Sequence, residues 1–134
     1  MAKLIDIEGI GPIYAETLAA AGLLTTEALL ERGASPAGRK EIATATKIDT
    51  KKILEWVNRA DLFRVKGVGT QYSDLLENAG VDTVKELATR KADNLHAKML
   101  ELNAAKSDVR RPPSLSEVTG WVADAKTLAP AVTY

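Results

Sequence analysis

Val65-Lys66-Gly67-Val68-Gly69-Thr70-Gln71-Tyr72-Ser73-Asp74-Leu75-Leu76-Glu77-Asn78-Ala79-Gly80 repeats an earlier stretch, Ile7-Glu8-Gly9-Ile10-Gly11-Pro12-Ile13-Tyr14-Ala15-Glu16-Thr17-Leu18-Ala19-Ala20-Ala21-Gly22. A constant offset of 58 positions (7 to 65) carries both glycines, the tyrosine, Leu18 and the Ala-Gly exit onto their counterparts. It runs on to pair Thr25 with Thr83, Leu29 with Leu87 and Arg32 with Arg90. Agreement at both glycines, both aromatics and both exits marks an internal duplication. Glycines two apart suit a tight turn, because they accept positive φ and let another backbone come close. A helix then opens at Pro12 or Thr70, and Pro12 fits a first helical position, where its missing N–H costs nothing. Ala-Gly supplies a left-handed exit. The amides of Gly67, Gly69 and Thr70 would face outward at a helix N-terminus, a place for an anion.

Working outward, helices are expected in both halves. Thr25, Ser35 with Pro36, and Asp49 or Thr50 are start signals in the first half, as are Thr83, Asp93 and Ser114 in the second. Thr83 with Glu86 and Ser114 with Glu117 have capping-box spacing. Ile13, Thr17 and Leu18 are expected on one buried face of the first helix, and Ile53, Leu54, Val57 and Ala60 recur at helical spacing further on. Leu95, Met99, Leu100 and Leu102 are expected on the helix after Asp93. Trp56-Val57 and Trp121-Val122 fall at matching places, but now 65 apart (56 to 121). The second half thus holds about seven extra residues, expected in the loop around Arg110-Arg111-Pro112-Pro113. No stretch alternates like a strand for more than a few residues, so the protein is expected to be all-α.

The Gly-apolar-Gly turn followed by a helix ending near Ala-Gly resembles the helix-hairpin-helix motif, in both copies. The second copy, with Val81 to Leu87 after it, is also similar to the C-terminal domain of the bacterial RNA polymerase α subunit. Nearly the whole chain resembles a bacterial family of unknown function built from two such units. That match runs through Gly38-Arg39-Lys40, Trp56-Val57, Asn94-Leu95-His96 and residues 110–115. The resemblance implies two helix-hairpin-helix units, each followed by a helix pair, over residues 1–62 and 63–134, packed as one compact domain. It also implies DNA binding without sequence preference, hairpin amides meeting phosphates with help from Lys or Arg, or else a purely protein-binding role. In some relatives of the motif the loop carbonyls hold a monovalent cation.

The chain has 134 residues, with 18 Lys+Arg against 18 Asp+Glu. A zero net charge argues against a dedicated nucleic-acid binder, which is usually basic. With no cysteine, disulfides and thiolate metal sites are excluded, in keeping with a reducing, cytoplasmic setting. No apolar run approaches the roughly 20 residues that span a bilayer, and the start lacks a signal peptide's apolar core. The lone His96 leaves no usual zinc set and no relay that avoids it. The carboxylates are scattered, with no pair set apart for acid–base work. Neither elbow continues into a dinucleotide or P-loop signature. A non-enzymatic module without cofactor or metal is the expectation.

Charge is uneven along the chain. Residues 1–32 carry two basic and five acidic side chains, residues 39–66 eight and four, and residues 91–111 five and three. Glu8 and Glu16 flank the first elbow and would repel a phosphate. The second is entered through Arg64-Val65-Lys66. The candidate nucleic-acid-binding residues are therefore Arg59, Arg64, Lys66, Gly67, Gly69, Thr70 and Gln71, with Arg110 and Arg111 as an extension. A solvated helix face explains the same basic run, since Lys47, Lys51 and Lys52 alternate with Glu41, Asp49 and Glu55. Tyr14, Tyr72 and the tryptophans are expected to pack in the core, and His96 to sit near a helix start. The alternative function is a protein–protein adaptor, favoured by the neutral charge, the acidic first elbow and the aliphatic tail Ala131-Val132-Thr133-Tyr134.

Overall fold

Side-chain caps place most of the helix starts. In the computed structural model, which describes residues 3–106 (Lys106 by its backbone alone) and 111–134, the helices are α1 (Pro12–Ala20), α2 (Thr26–Gly33), α3 (Pro36–Thr46), α4 (Thr50–Leu62), α5 (Thr70–Asn78), α6 (Val84–Ala88), α7 (Ala92–Lys106) and α8 (Leu115–Thr127). Among the described residues there is no strand, only an isolated Lys3–Thr25 bridge. The protein is all-α. No helix among the described residues is long and apolar enough to cross a membrane.

Thr25, Ser35, Thr83 and Ser114 each accept a hydrogen bond from the amide three residues on, 3.1–3.2 Å away. Asp49 accepts from Lys51 N and opens α4. Each cap satisfies one amide that the helix itself leaves without an acceptor, worth about 1 kcal/mol. The two expected capping boxes differ. Glu117 returns a bond to Ser114 N at 3.0 Å, whereas the Glu86 carboxylate is turned to Arg90, at 2.8 Å. A charged partner one helical turn away outcompetes the neutral amide.

The chain divides into two compact units, Met1–Asp61 with Ala131–Tyr134, and Leu62–Pro130. In the first, Ile7, Ile10, Leu18, Leu23, Leu29, Ile42, Ile53, Trp56 and Val57 are buried. Gly33 lets α2 and α4 approach, because a Cβ there would lie 2.5 Å from Val57 Cγ2. In the second, α6 and α7 pack on α8, and α5 packs on α7. Leu75, Leu76, Val81, Leu87, Met99, Val118 and Trp121 fill the space between them.

One packing expectation is corrected. Ile13 is 80 % exposed; apolar residues run all round α1, so periodicity gives no face, and Ile10 enters the core in its place. The extra length of the second half does not lie wholly in the loop, since α7 has 15 residues against 11 in α3. Part of the expected insertion, including Arg110, lies outside the described residues.

The basic run 39–66 is not uniformly solvated either. Arg39 is only 6 % exposed. Its Nη1 donates to the carbonyls of Gly33 and Ala34, 2.8 and 3.1 Å away, and its Nη2 to that of Thr133 at 2.7 Å. Burial pulls its pKa down from the usual arginine range, and the carbonyls compensate the desolvated charge.

Candidate functional site

The second elbow is a pair of tight turns pinned from below. Val65 N donates to Leu62 O and Val68 N to Val65 O, both at 3.1 Å, and both valines are buried. The residues between them are thereby pushed outward, so Lys66 and Gly67 are exposed. Gly67 has φ of 91°, a region that costs a residue with a Cβ about 1–2 kcal/mol. It also presses on Trp121, whose Nε1 would be 3.2 Å from an added Cβ. Gly69 is different. It is the N-cap of α5 in extended geometry, without a side-chain cap, and a Cβ there meets nothing within 4 Å.

An open concavity of about 440 Å³ lies over this elbow, lined by Gly67, Gly69, Thr70, Gln71, Tyr72 and Arg111. Its floor is glycine backbone at the head of a nine-residue helix, where the helix dipole presents partial positive charge. The rim is tied down. Tyr72 packs on Trp121 with ring centroids 5.1 Å apart, and its hydroxyl donates to Arg111 O at 2.8 Å. The Arg111 guanidinium lies 6.0 Å from the Tyr72 ring centroid and makes a two-pronged contact with Glu117, at 2.7 and 2.9 Å. That contact raises the Arg111 pKa further above its usual range. With the Ser114 amide, it holds the Glu117 carboxyl down to about 2.

Of the residues expected at a nucleic-acid interface, Gly67, Gly69, Thr70 and Gln71 line this concavity together, joined by Arg111 from the proposed extension. Lys66 is exposed beside it, but its amide donates to Asp124 Oδ2 at 3.2 Å, which brings a carboxylate to the elbow. Arg64 is half-buried as a residue, and its guanidinium donates to Ala129 O at 2.7 Å, so it braces the end of α8. Arg59 lies in the other unit and is not part of the lining. Asp124, Glu117 and Ala129 escaped sequence reasoning, because each comes from a segment over forty residues away in the chain.

The first elbow has the same frame and a different rim. Gly9 has φ of 96° and abuts Trp56 Nε1, while Tyr14 meets Trp56 edge-on at 5.0 Å. Gly11 caps α1, but Pro12 follows and removes one amide donor. Ile13 then projects into solvent where the second elbow has Gln71. His96 is in neither elbow; its Nε2 is 3.0 Å from Pro113 O, joining α7 to the segment before α8.

No curated protein and no solved structure matches the chain. A family described as a domain of unknown function (DUF4332) matches residues 8–128. That span takes in both elbows and α1 to α8 of the described residues, and the chain belongs to this family.

Proposed function

We propose that the chain is a non-enzymatic module of helix-hairpin-helix type that grips the phosphate backbone of DNA, without reading bases, through its second elbow. The observation that carries this reading is the glycine-floored concavity at the start of α5, with Gln71 and Arg111 on its rim. An anion there meets the positive end of a helix and a guanidinium already oriented by Glu117 and Tyr72. Lys66, exposed on the approach, adds long-range attraction. Two carboxylates, Asp124 and Glu117, oppose it, so affinity falls in the weak range of sequence-independent binding, about 10⁻⁴–10⁻⁶ M.

Fluorescence anisotropy with labelled duplex and single-stranded DNA, titrated at low and moderate salt, tests the reading. Affinity should fall steeply with salt, and Lys66→Glu with Gln71→Glu should weaken it at least tenfold while circular dichroism stays unchanged. Salt-independent binding, or binding untouched by the double change, refutes it.

The exposed Ile13, with Glu8 and Glu16 near it, favours a second reading for the first elbow as a protein contact. A partner retained on nuclease-treated lysate columns by wild type, and lost with Ile13→Glu, supports that adaptor role.

A further inference from the structure

Residues Ala131–Tyr134 are seated in the first unit by contacts to their backbone and to their side chains, the Thr133 hydroxyl also donating to Ala34 O at 3.2 Å. Thr133 N donates to Ala34 O at 2.8 Å, and Thr133 O accepts from Arg39 Nη2 at 2.7 Å. One residue is thus held by its donor and its acceptor, the two-sided grip that β-strand addition uses. On either side, Val132 is buried at 9 % exposure, and Tyr134 donates to Asn58 Oδ1 at 3.2 Å and lies over the Arg39 guanidinium, 5.9 Å away. The hydrogen bonds of Arg39 among the described residues all go to main-chain carbonyls. Without the tail, a buried guanidinium would lose one of its three acceptors, and such a group is costly to leave unmet. The receiving residues, Gly33, Ala34, Arg39 and Asn58, lie within the family-matched span, and the occupant lies beyond it.

From this geometry we infer that the groove around Arg39 is a docking site for an extended segment, and that its partner in trans is the tail of a second copy of this chain. The inference is independent of the elbow and its ligand. The second copy carries the one sequence already shown to fit, and reciprocal exchange keeps every contact of the closed monomer. The tail in cis wins at low concentration because a short tether gives an effective concentration of about 1 mM. Pairing therefore emerges when cis closure is blocked.

Complementation tests this in full-length protein. Thr133→Pro keeps the groove and spoils the tail, since it removes the N–H that Ala34 accepts; Arg39→Ala keeps the tail and spoils the groove. Neither variant can close in cis or pair with itself. Mixed, one tail fills the other's groove. Light scattering should show a 1:1 species of twice the 14.4 kDa chain mass only in the mixture, with a melting temperature above that of either variant alone. Val132→Asp and Arg39→Lys replace the first two if either fails to fold. A mixture of folded variants that stays monomeric at millimolar concentration overturns the inference.

Discussion

Replacing Gly69 by Asp should make the protein more stable and, under the proposed function, a poorer DNA binder at once. Gly69 is the N-cap of α5, with φ of −114° and ψ of −159°, geometry that any residue adopts. An added Cβ meets nothing within 4 Å, so no clash offsets the gain. An aspartate there can accept from the first-turn amides, better than glycine by a few tenths of a kcal/mol. Its charge beside the helix N-terminus adds about 0.3–1 kcal/mol. A net gain of about 0.5–1 kcal/mol raises Tm by about 2–5 °C for a chain of this size. The same carboxylate occupies the space a phosphate needs, so duplex affinity at about 50 mM salt should drop at least tenfold and its salt slope should flatten. Gly11→Asp is the matched control. That residue caps α1 and also has open space around its Cβ, so it should stabilise the protein without touching DNA affinity. Calorimetry and anisotropy read the two quantities separately. If Gly69→Asp raises Tm and leaves salt-dependent binding intact, the phosphate does not sit at the head of α5. If Tm does not rise, the capping argument itself is wrong.

Gly67→Ala should cost about 1–2 kcal/mol from its positive φ alone, whereas Gly69→Ala should be close to neutral; paired urea melts check the contrast. Gly38→Ala places a Cβ 2.0 Å from the Arg32 carbonyl and Gly33→Ala one 2.5 Å from Val57 Cγ2. Both should destabilise by about 1–3 kcal/mol, the first more, because backbone yields less than a side chain. Glu117 titrates at about 2 in the folded chain against 4.5 ordinarily, so its contribution is complete above about pH 4.5 and lost as pH falls toward 2. Arg111 is largely exposed and Glu117 about a third exposed, so solvent screening keeps that contribution small. Arg111→Ala should return the Glu117 midpoint toward the ordinary value, readable by NMR titration of its carboxyl carbon.

The helical plan was legible because it is written in local chemistry. Thr25, Ser35, Thr83 and Ser114 announce helix starts whatever surrounds them, and the paired glycines announce tight turns, though of each pair only the first, Gly9 or Gly67, takes positive φ. Four elbow residues could likewise be named from one contiguous stretch. What escaped depends on residues far apart in the chain. Arg39 looks like one more member of a charged surface until Thr133, 94 positions away, meets it. Asp124 reaches Lys66 across 58 positions, and nothing in the local pattern at either end foretells the contact. Ile13 failed for another reason: where apolar residues surround a helix, spacing cannot say which of them goes inside.

One frame serves two unlike rims, and the proposed division of roles follows from that. In each unit a positive-φ glycine abuts a buried tryptophan, and a tyrosine three residues into the helix leans on the same indole. These groups are occupied by packing, so they set the elbow's shape and leave recognition to the residues around it. Four substitutions separate the rims. Glu8 stands where the second elbow has Lys66, Pro12 where it has Thr70, Ile13 where it has Gln71, and Lys52 leans over Tyr14 where Arg111 leans over Tyr72. The first three each move elbow one away from an anion, by charge, by loss of an amide donor and by apolarity. Exchanging Glu8 and Ile13 for Lys and Gln should therefore bring measurable salt-dependent DNA affinity to the first elbow, though a weaker one, since Pro12 still withholds its N–H. Anisotropy on that double variant, with elbow two silenced by Gly69→Asp, isolates the effect. No recovery of binding would mean that the rims do not decide which elbow holds a phosphate.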